Sequence, residues 1–169
     1  MKQLKTLLIA AALFLGANQT ISAQAKVAHI DVQELMTTMP EMKTAQAQVK
    51  KIGETYEKEY QTLVTEYQNK MKKYESEATT VGEAVNETRA KEMQDMGQRI
   101  QQFRETAQKE VQQKEMDLVK PIMDKAKNAI QKVAKAKGYQ YVLDSTTGSG
   151  VILADGPNLL ADVKKELGF

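Results

Sequence analysis

Apolar residues recur at helical spacing through the middle of the chain. They fall at Ala45, Val49, Ile52, Tyr56, Tyr60, Leu63, Tyr67, Met71 and Tyr74. That is about 3.6 residues per step, the signature of one face of an α-helix. A second set follows at Met93, Met96, Ile100, Phe103, Ala107, Val111, Leu118 and Ile122. If the chain folds back so that facing positions sum to about 167, the two sets meet. Tyr74 faces Met93, Met71 faces Met96, Tyr67 faces Ile100, Leu63 faces Phe103, Tyr60 faces Ala107 and Tyr56 faces Val111. Val49 and Ala45 then face Leu118 and Ile122, and only Ile52 lands on charge, near Lys114 and Glu115. The pattern predicts an antiparallel helical hairpin over 40–137 with its tip near 80–86. Gly82 is placed to end one helix there and Asn86 to cap the next. A single continuous helix in a parallel coiled coil has no use for Gly82 or for the mirror symmetry.

The hairpin is flanked by short segments of a different character. Residues 27–32 (VAHIDV) alternate and are rich in β-branched side chains, which predicts a strand. Pro40 suits the first turn of a helix, Pro121 predicts a bend near the base of the second arm, and Gly138 suits that arm's end. Two further strands are predicted at 139–144 and 151–153, then a last helix over 159–167 with Asn158 as its cap. The fold class is α+β: a long helical hairpin on a small body formed by 26–39 and 138–169. Three short strands and one helix bury little apolar surface. The body is therefore expected to associate with other copies through Val27, Ile30, Val32, Tyr141, Val142, Leu143 and Ile152.

The amino terminus reads as a secretory signal over 1–25. Lys2 and Lys5 precede an apolar run at 7–17, and small residues follow, with cleavage expected after Ala23 or Ala25. The run is too short to span a bilayer hydrocarbon core of about 30 Å. The sequence contains no cysteine, which excludes disulfides and a lipid-modified Cys. The reading is a mature protein that is soluble beyond the inner membrane. Charge then changes with processing. Lys and Arg number 24 against 22 Asp and Glu, and loss of Lys2 and Lys5 leaves the mature chain neutral. General attraction to nucleic acid is not expected. Seven lysines cluster between Lys114 and Lys137, mostly as a solvated face near a helix carboxyl end.

Catalytic chemistry has little to stand on. His29 is the only histidine, so a metal cluster or a triad lacks its partners. Gly148-Ser149-Gly150 lacks the rest of a phosphate-binding fingerprint and reads as a turn. No enzyme, cofactor or metal is expected. The stripe of Tyr56, Tyr60, Tyr67 and Tyr74 is narrow enough to be a packing seam. Two helices cover only part of each ring, however, so those residues also stay within reach of a partner. Met71, Met93, Met96 and Phe103 join them as candidate contacts, since methionine adapts to varied surfaces.

Three blocks carry a resemblance. The segment KVAHIDVQELMTTMPEMKTAQ resembles the first strand and first helical turns of the Skp/OmpH family of periplasmic chaperones. PIMDKAKNAIQKVAKAKGYQYVLD resembles the family's returning helix and the strand after it, and ILADGPNLLADVKKELGF its terminal strand and helix. The resemblance implies a homotrimer whose strands form a central barrel-like body, with three hairpins around a cavity. Such a cavity holds unfolded outer membrane proteins without ATP. Family members can be strongly basic, and this mature chain is neutral, which leaves contact with lipid or lipopolysaccharide open. A structural envelope spacer and a periplasmic adaptor docking through its hairpin are the competing classes. An adaptor needs larger β domains than this chain has. A spacer needs a tight Leu/Ile seam rather than one of Tyr, Met and Ala.

Overall fold

The computed structural model describes residues 25–169, so the expected signal segment falls almost wholly outside the described residues. The elements in chain order are β1 (Val27–Ile30), α1 (Val32–Thr38), α2 (Pro40–Glu77), α3 (Glu83–Ala136), β2 (Tyr141–Asp144) and α4 (Leu160–Leu167). Asp31 decides where the first strand stops. Its carboxylate accepts a hydrogen bond from the Glu34 amide at 2.8 Å, the contact of a helix N-cap. Val32 therefore opens α1 rather than extending the strand, against the expectation from its β-branched side chain. A satisfied amide at a helix start outweighs a propensity of at most about 1 kcal/mol. Met39 then sits extended, at φ −62° and ψ 128°, because the ring of the following proline disfavours helix at that position. Pro40 opens α2 at its first helical position.

Helix α2 runs 38 residues and α3 runs 54. Residues 78–82 join them. Gly82 adopts extended geometry just ahead of α3, and Asn86 lies inside α3, where its side-chain amide donates to the Ala78 carbonyl at 2.9 Å. The turn is thus held by Asn86 reaching back, not by Asn86 as the cap. Helix α3 continues as helix on both sides of Pro121. It ends where Gly138 takes φ 73°. The Tyr139 amide donates to the Ala134 carbonyl at 2.9 Å and the Gly138 amide to the Lys135 carbonyl at 3.1 Å, the paired bonds of a Schellman end.

The chain returns to lay β2 parallel to β1, with Val27 beside Tyr141 and Ile30 beside Asp144. Parallel neighbours need a long crossover, and here the crossover contains both long helices. The other edge of β1 is taken by residues 157–159. The His29 amide donates to the Pro157 carbonyl and the Leu159 amide to the His29 carbonyl, both at 2.9 Å. The strand expected at 151–153 does not form. The second edge of β1 is occupied by residues 157–159, and the segment does not pair with the outer edge of β2 either. Ile152 is fully exposed. The residue at the cap of α4 is Leu159, not the expected Asn158, which sits one place earlier and accepts from the Leu160 amide at 2.8 Å.

The core lies where α1, α4 and the base of α3 close over one face of β1. Ile30, Leu35, Met39, Leu159 and Val163 are each essentially inaccessible to solvent. Ala126, Ala129 and Ala134 on α3 are small enough to admit α4 and the strand closely. Lys132 pairs with Glu166, and Lys137 with Asp162, each at 2.5 Å on the surface. Such exposed pairs fix orientation and contribute little stability.

Ile30, expected to face another copy, is 1% exposed within its own chain. Ile30→Asp should therefore unfold the body itself, by about 4 kcal/mol or more, since it buries an unpaired charge. Melting followed by circular dichroism measures this; an unchanged midpoint would take Ile30 out of the core.

Candidate functional site

Only part of each seam side chain is covered along the two long helices. From Val49 to Glu77 a row of half-buried positions on α2 runs Val49, Gly53, Tyr56, Tyr60, Leu63, Tyr67, Lys70, Tyr74 and Glu77, with Ile52 and Val64 beside it. The row alternates steps of three and four, close to 3.5 residues per step, the spacing of a left-handed coiled coil. This moves one residue. Lys70 takes the seam position expected for Met71, which points outward at 37% exposure. A lysine fits because its stem covers apolar surface while its ammonium reaches Glu92 of α3.

Besides the longer reach of Lys70 to Glu92, four pairs cross from α2 to α3: Glu41 with Lys125, Tyr56 with Glu110, Tyr74 with Glu92 and Glu77 with Arg89. Each pair of numbers sums to 166, so α2 and α3 run antiparallel, one residue from the register expected from apolar spacing.

Polar contacts hold the seam near its tip. The Tyr74 hydroxyl donates to Glu92 at 2.6 Å, and Arg89 donates to Glu77 at 2.5 Å. The Arg89 guanidinium also lies 4.5 Å from the centre of the Tyr74 ring, a cation–π contact. The Lys70 and Tyr74 hydrogen bonds hold the Glu92 carboxyl below the usual range, and Glu92 in turn pushes the Tyr74 phenol up. Further down, Phe103 meets Tyr56 edge-on with centroids 6.1 Å apart. Beside this pair lies an open groove of about 620 Å³ lined by Gly53, Tyr60, Phe103, Ala107 and Val111. Residues 112–117 of α3 are all exposed, which explains why Ile52 found no apolar partner in the sequence.

Seven of the eight arm candidates therefore belong to the seam. Tyr56, Tyr60, Tyr67, Tyr74, Met93 and Phe103 are half-buried, Met96 is buried, and Met71 alone stands out. Two exposed methionines were missed, Met116 and Met123, each more than half exposed. They lie on α3 away from α2. The steps Met116–Val119–Met123–Ala126–Ile130 carry a second helical stripe, at the same spacing as the seam but on another face of the helix.

The body offers a second surface. The strand register puts Val27, Tyr141, His29 and Leu143 on one face, where Val27, Tyr141 and Leu143 are 42%, 60% and 45% exposed. Val142 points to the opposite face and, with Val32, Met36 and Ile130, lines an open groove of about 770 Å³. His29 is occupied structurally. Its Nε2 donates to the Gly156 carbonyl at 3.1 Å, which places the proton there, and Nδ1 accepts from the Ser145 hydroxyl at 3.0 Å. Among the described residues, no three His, Cys, Asp or Glu side chains gather as metal ligands. No described helix is long and apolar enough to cross a membrane.

Residues 26–167 match the family model described as outer membrane protein (OmpH-like). A crystal structure from Caulobacter crescentus CB15, described as a candidate outer membrane chaperone (OmpH-like), superposes with a TM-score of 0.76. It shares 22% sequence identity, and the match covers 86% of this chain and 85% of that one, so the likeness is one of fold. No curated protein matches. The family model spans nearly all of the described residues, β1 through α4, and the chain belongs to the OmpH-like outer membrane protein family.

Proposed function

We propose that this protein is a periplasmic holdase chaperone, not an enzyme, that keeps unfolded outer membrane proteins from aggregating without ATP. The observation that carries the reading is the arm: two paired helices of 38 and 54 residues whose apolar seam stays half open along its length. An arm of this kind has no enclosed pocket and offers many weak contacts, which suits clients that share hydrophobicity rather than sequence. The family assignment and the OmpH-like fold support the same reading.

The assembly we propose is a homotrimer built on the body (26–39 and 138–169), with the arms (40–137) surrounding a client cavity. The exposed sheet face of Val27, Tyr141 and Leu143, the free edge of β2, and Ile152 supply the contact surface. A sheet with an open edge and an apolar face is a ready site for association.

Capture is apolar and multivalent in this account. The mature chain is neutral, and residues 63–109 carry eight basic and eight acidic side chains. Mixed exposed charges are screened beyond about 8 to 10 Å at moderate salt.

Three measurements check this. The purified protein should hold a urea-unfolded outer membrane β-barrel in solution after dilution, without nucleotide; removing residues 61–108 should leave a folded assembly that no longer does so. If the shortened protein protects as well as the full one, the arms are not the client surface. Leu143→Asp should lower the mass seen by light scattering from three copies toward one while helix content is kept; a variant that stays trimeric contradicts the assembly face. Client affinity should fall only a few-fold between low and moderate salt, and a loss of a hundredfold would show that charge steers capture.

A further inference from the structure

Of the nine methionines, Met1 lies outside the described residues, and the other eight divide by exposure. Met39 in the body core is 0% exposed and Met96 in the arm seam 4%, and Met42 is buried in the same cluster as Met39. Met36 and Met93 are half-buried, and Met71 is 37% exposed. Met116 and Met123 stand apart at 58% and 56%. They lie two turns apart on α3, about 10 Å along the helix at about 1.5 Å per residue. Between them is a shallow hollow of about 630 Å³, lined also by Asp117, Val119, Lys120 and Asp124. The sequence contains no cysteine and no tryptophan, so the sulfur chemistry of this chain is methionine chemistry.

We propose that Met116 and Met123 form a reversible oxidation site, each taking one oxygen atom from a peroxide. The thioether sulfur attacks one peroxide oxygen with its lone pair. A sulfur–oxygen bond forms, the oxygen–oxygen bond breaks, and the proton on the transferred oxygen passes to the departing hydroxide, which leaves as water. The sulfur is oxidised by two electrons and the peroxide is reduced by the same two. Location decides the consequence. On Met39 or Met96 the new oxygen would be buried without a donor, which breaks packing. On Met116 and Met123 it points into water, so the seam and the body core are spared. Both sulfoxide epimers there stay within reach of the reductases that restore the thioether. The change is confined to the second stripe of α3, whose two most exposed side chains turn from apolar to polar. In the oxidising periplasm proposed above, this pair is the first point at which an oxidant registers on the chain.

The test treats the full mature protein with hydrogen peroxide, quenched at intervals, and reads it by peptide mass spectrometry and by melting followed by circular dichroism. Met116 and Met123 should each gain one oxygen at least tenfold faster than Met39 and Met96, with helix content and melting midpoint unchanged once the pair is oxidised. Methionine sulfoxide reductases of both epimer specificities should then remove the added oxygen. Met116→Leu with Met123→Leu should keep the fold and lose the fast phase, leaving Met71 the most reactive methionine. A separation of less than tenfold overturns the proposal, as does a lowered midpoint when only the pair is oxidised, or sulfoxide that the reductases leave in place. In urea all eight should react at one rate; a separation that persists there comes from neighbouring sequence rather than from the fold, and also overturns it.

Discussion

Everything in this molecule follows from the inability of two paired helices to bury their own seam. A residue in a domain core is surrounded; one on a two-helix seam is covered from one side only. Along α2 and α3 nearly every apolar position stays half open, and Met96 is the buried exception in the distal half. Burying a large apolar side chain stabilises by about 1.5–3 kcal/mol, and half burial leaves much of that unrealised. The arms therefore depend on the body at their base, where Leu35, Met39, Leu159 and Val163 close around the alanines of α3.

The distal arm answers the same deficit with polar contacts. Glu77, Arg89, Tyr74, Glu92 and Lys70 form a chain of hydrogen bonds and one cation–π contact where apolar partners run short. Partly exposed pairs of this kind fix register more than they add stability. They hold the helices in register and leave apolar edges of Tyr and Met side chains in reach of a partner. Specificity of pairing and looseness of packing thus coexist in one arm, as the proposed capture of varied clients requires.

The arms were the most legible part of the sequence because a long repeat averages out local errors. The apolar spacing located the facing helices within one residue of the observed register. It misplaced Met71, since steps of 67–70–74 and 67–71–74 both fit a helix and only the Glu92 contact favours Lys70. The body was read less well because its strands are four residues each and single contacts decide them. One capping carboxylate, Asp31, turned Val32 into a helix start. The segment at 151–153 has the composition of a strand, but residues 157–159 hold the only edge of β1 left beside β2. Ile30 is buried within its own chain, and alternation alone does not say whether a strand face meets its own helices or another copy. The groove under Val142 was invisible for a related reason: it needs α1, α3 and β2 together.

Hydrogen exchange of the protein with and without a urea-unfolded outer membrane β-barrel, in the absence of nucleotide, tests the central claim most directly. The account predicts slower exchange along α2 and α3 when client is bound, with the amides of the body core around Ile30 and Val163 unchanged. Client held in solution with no change anywhere along the arms would contradict it.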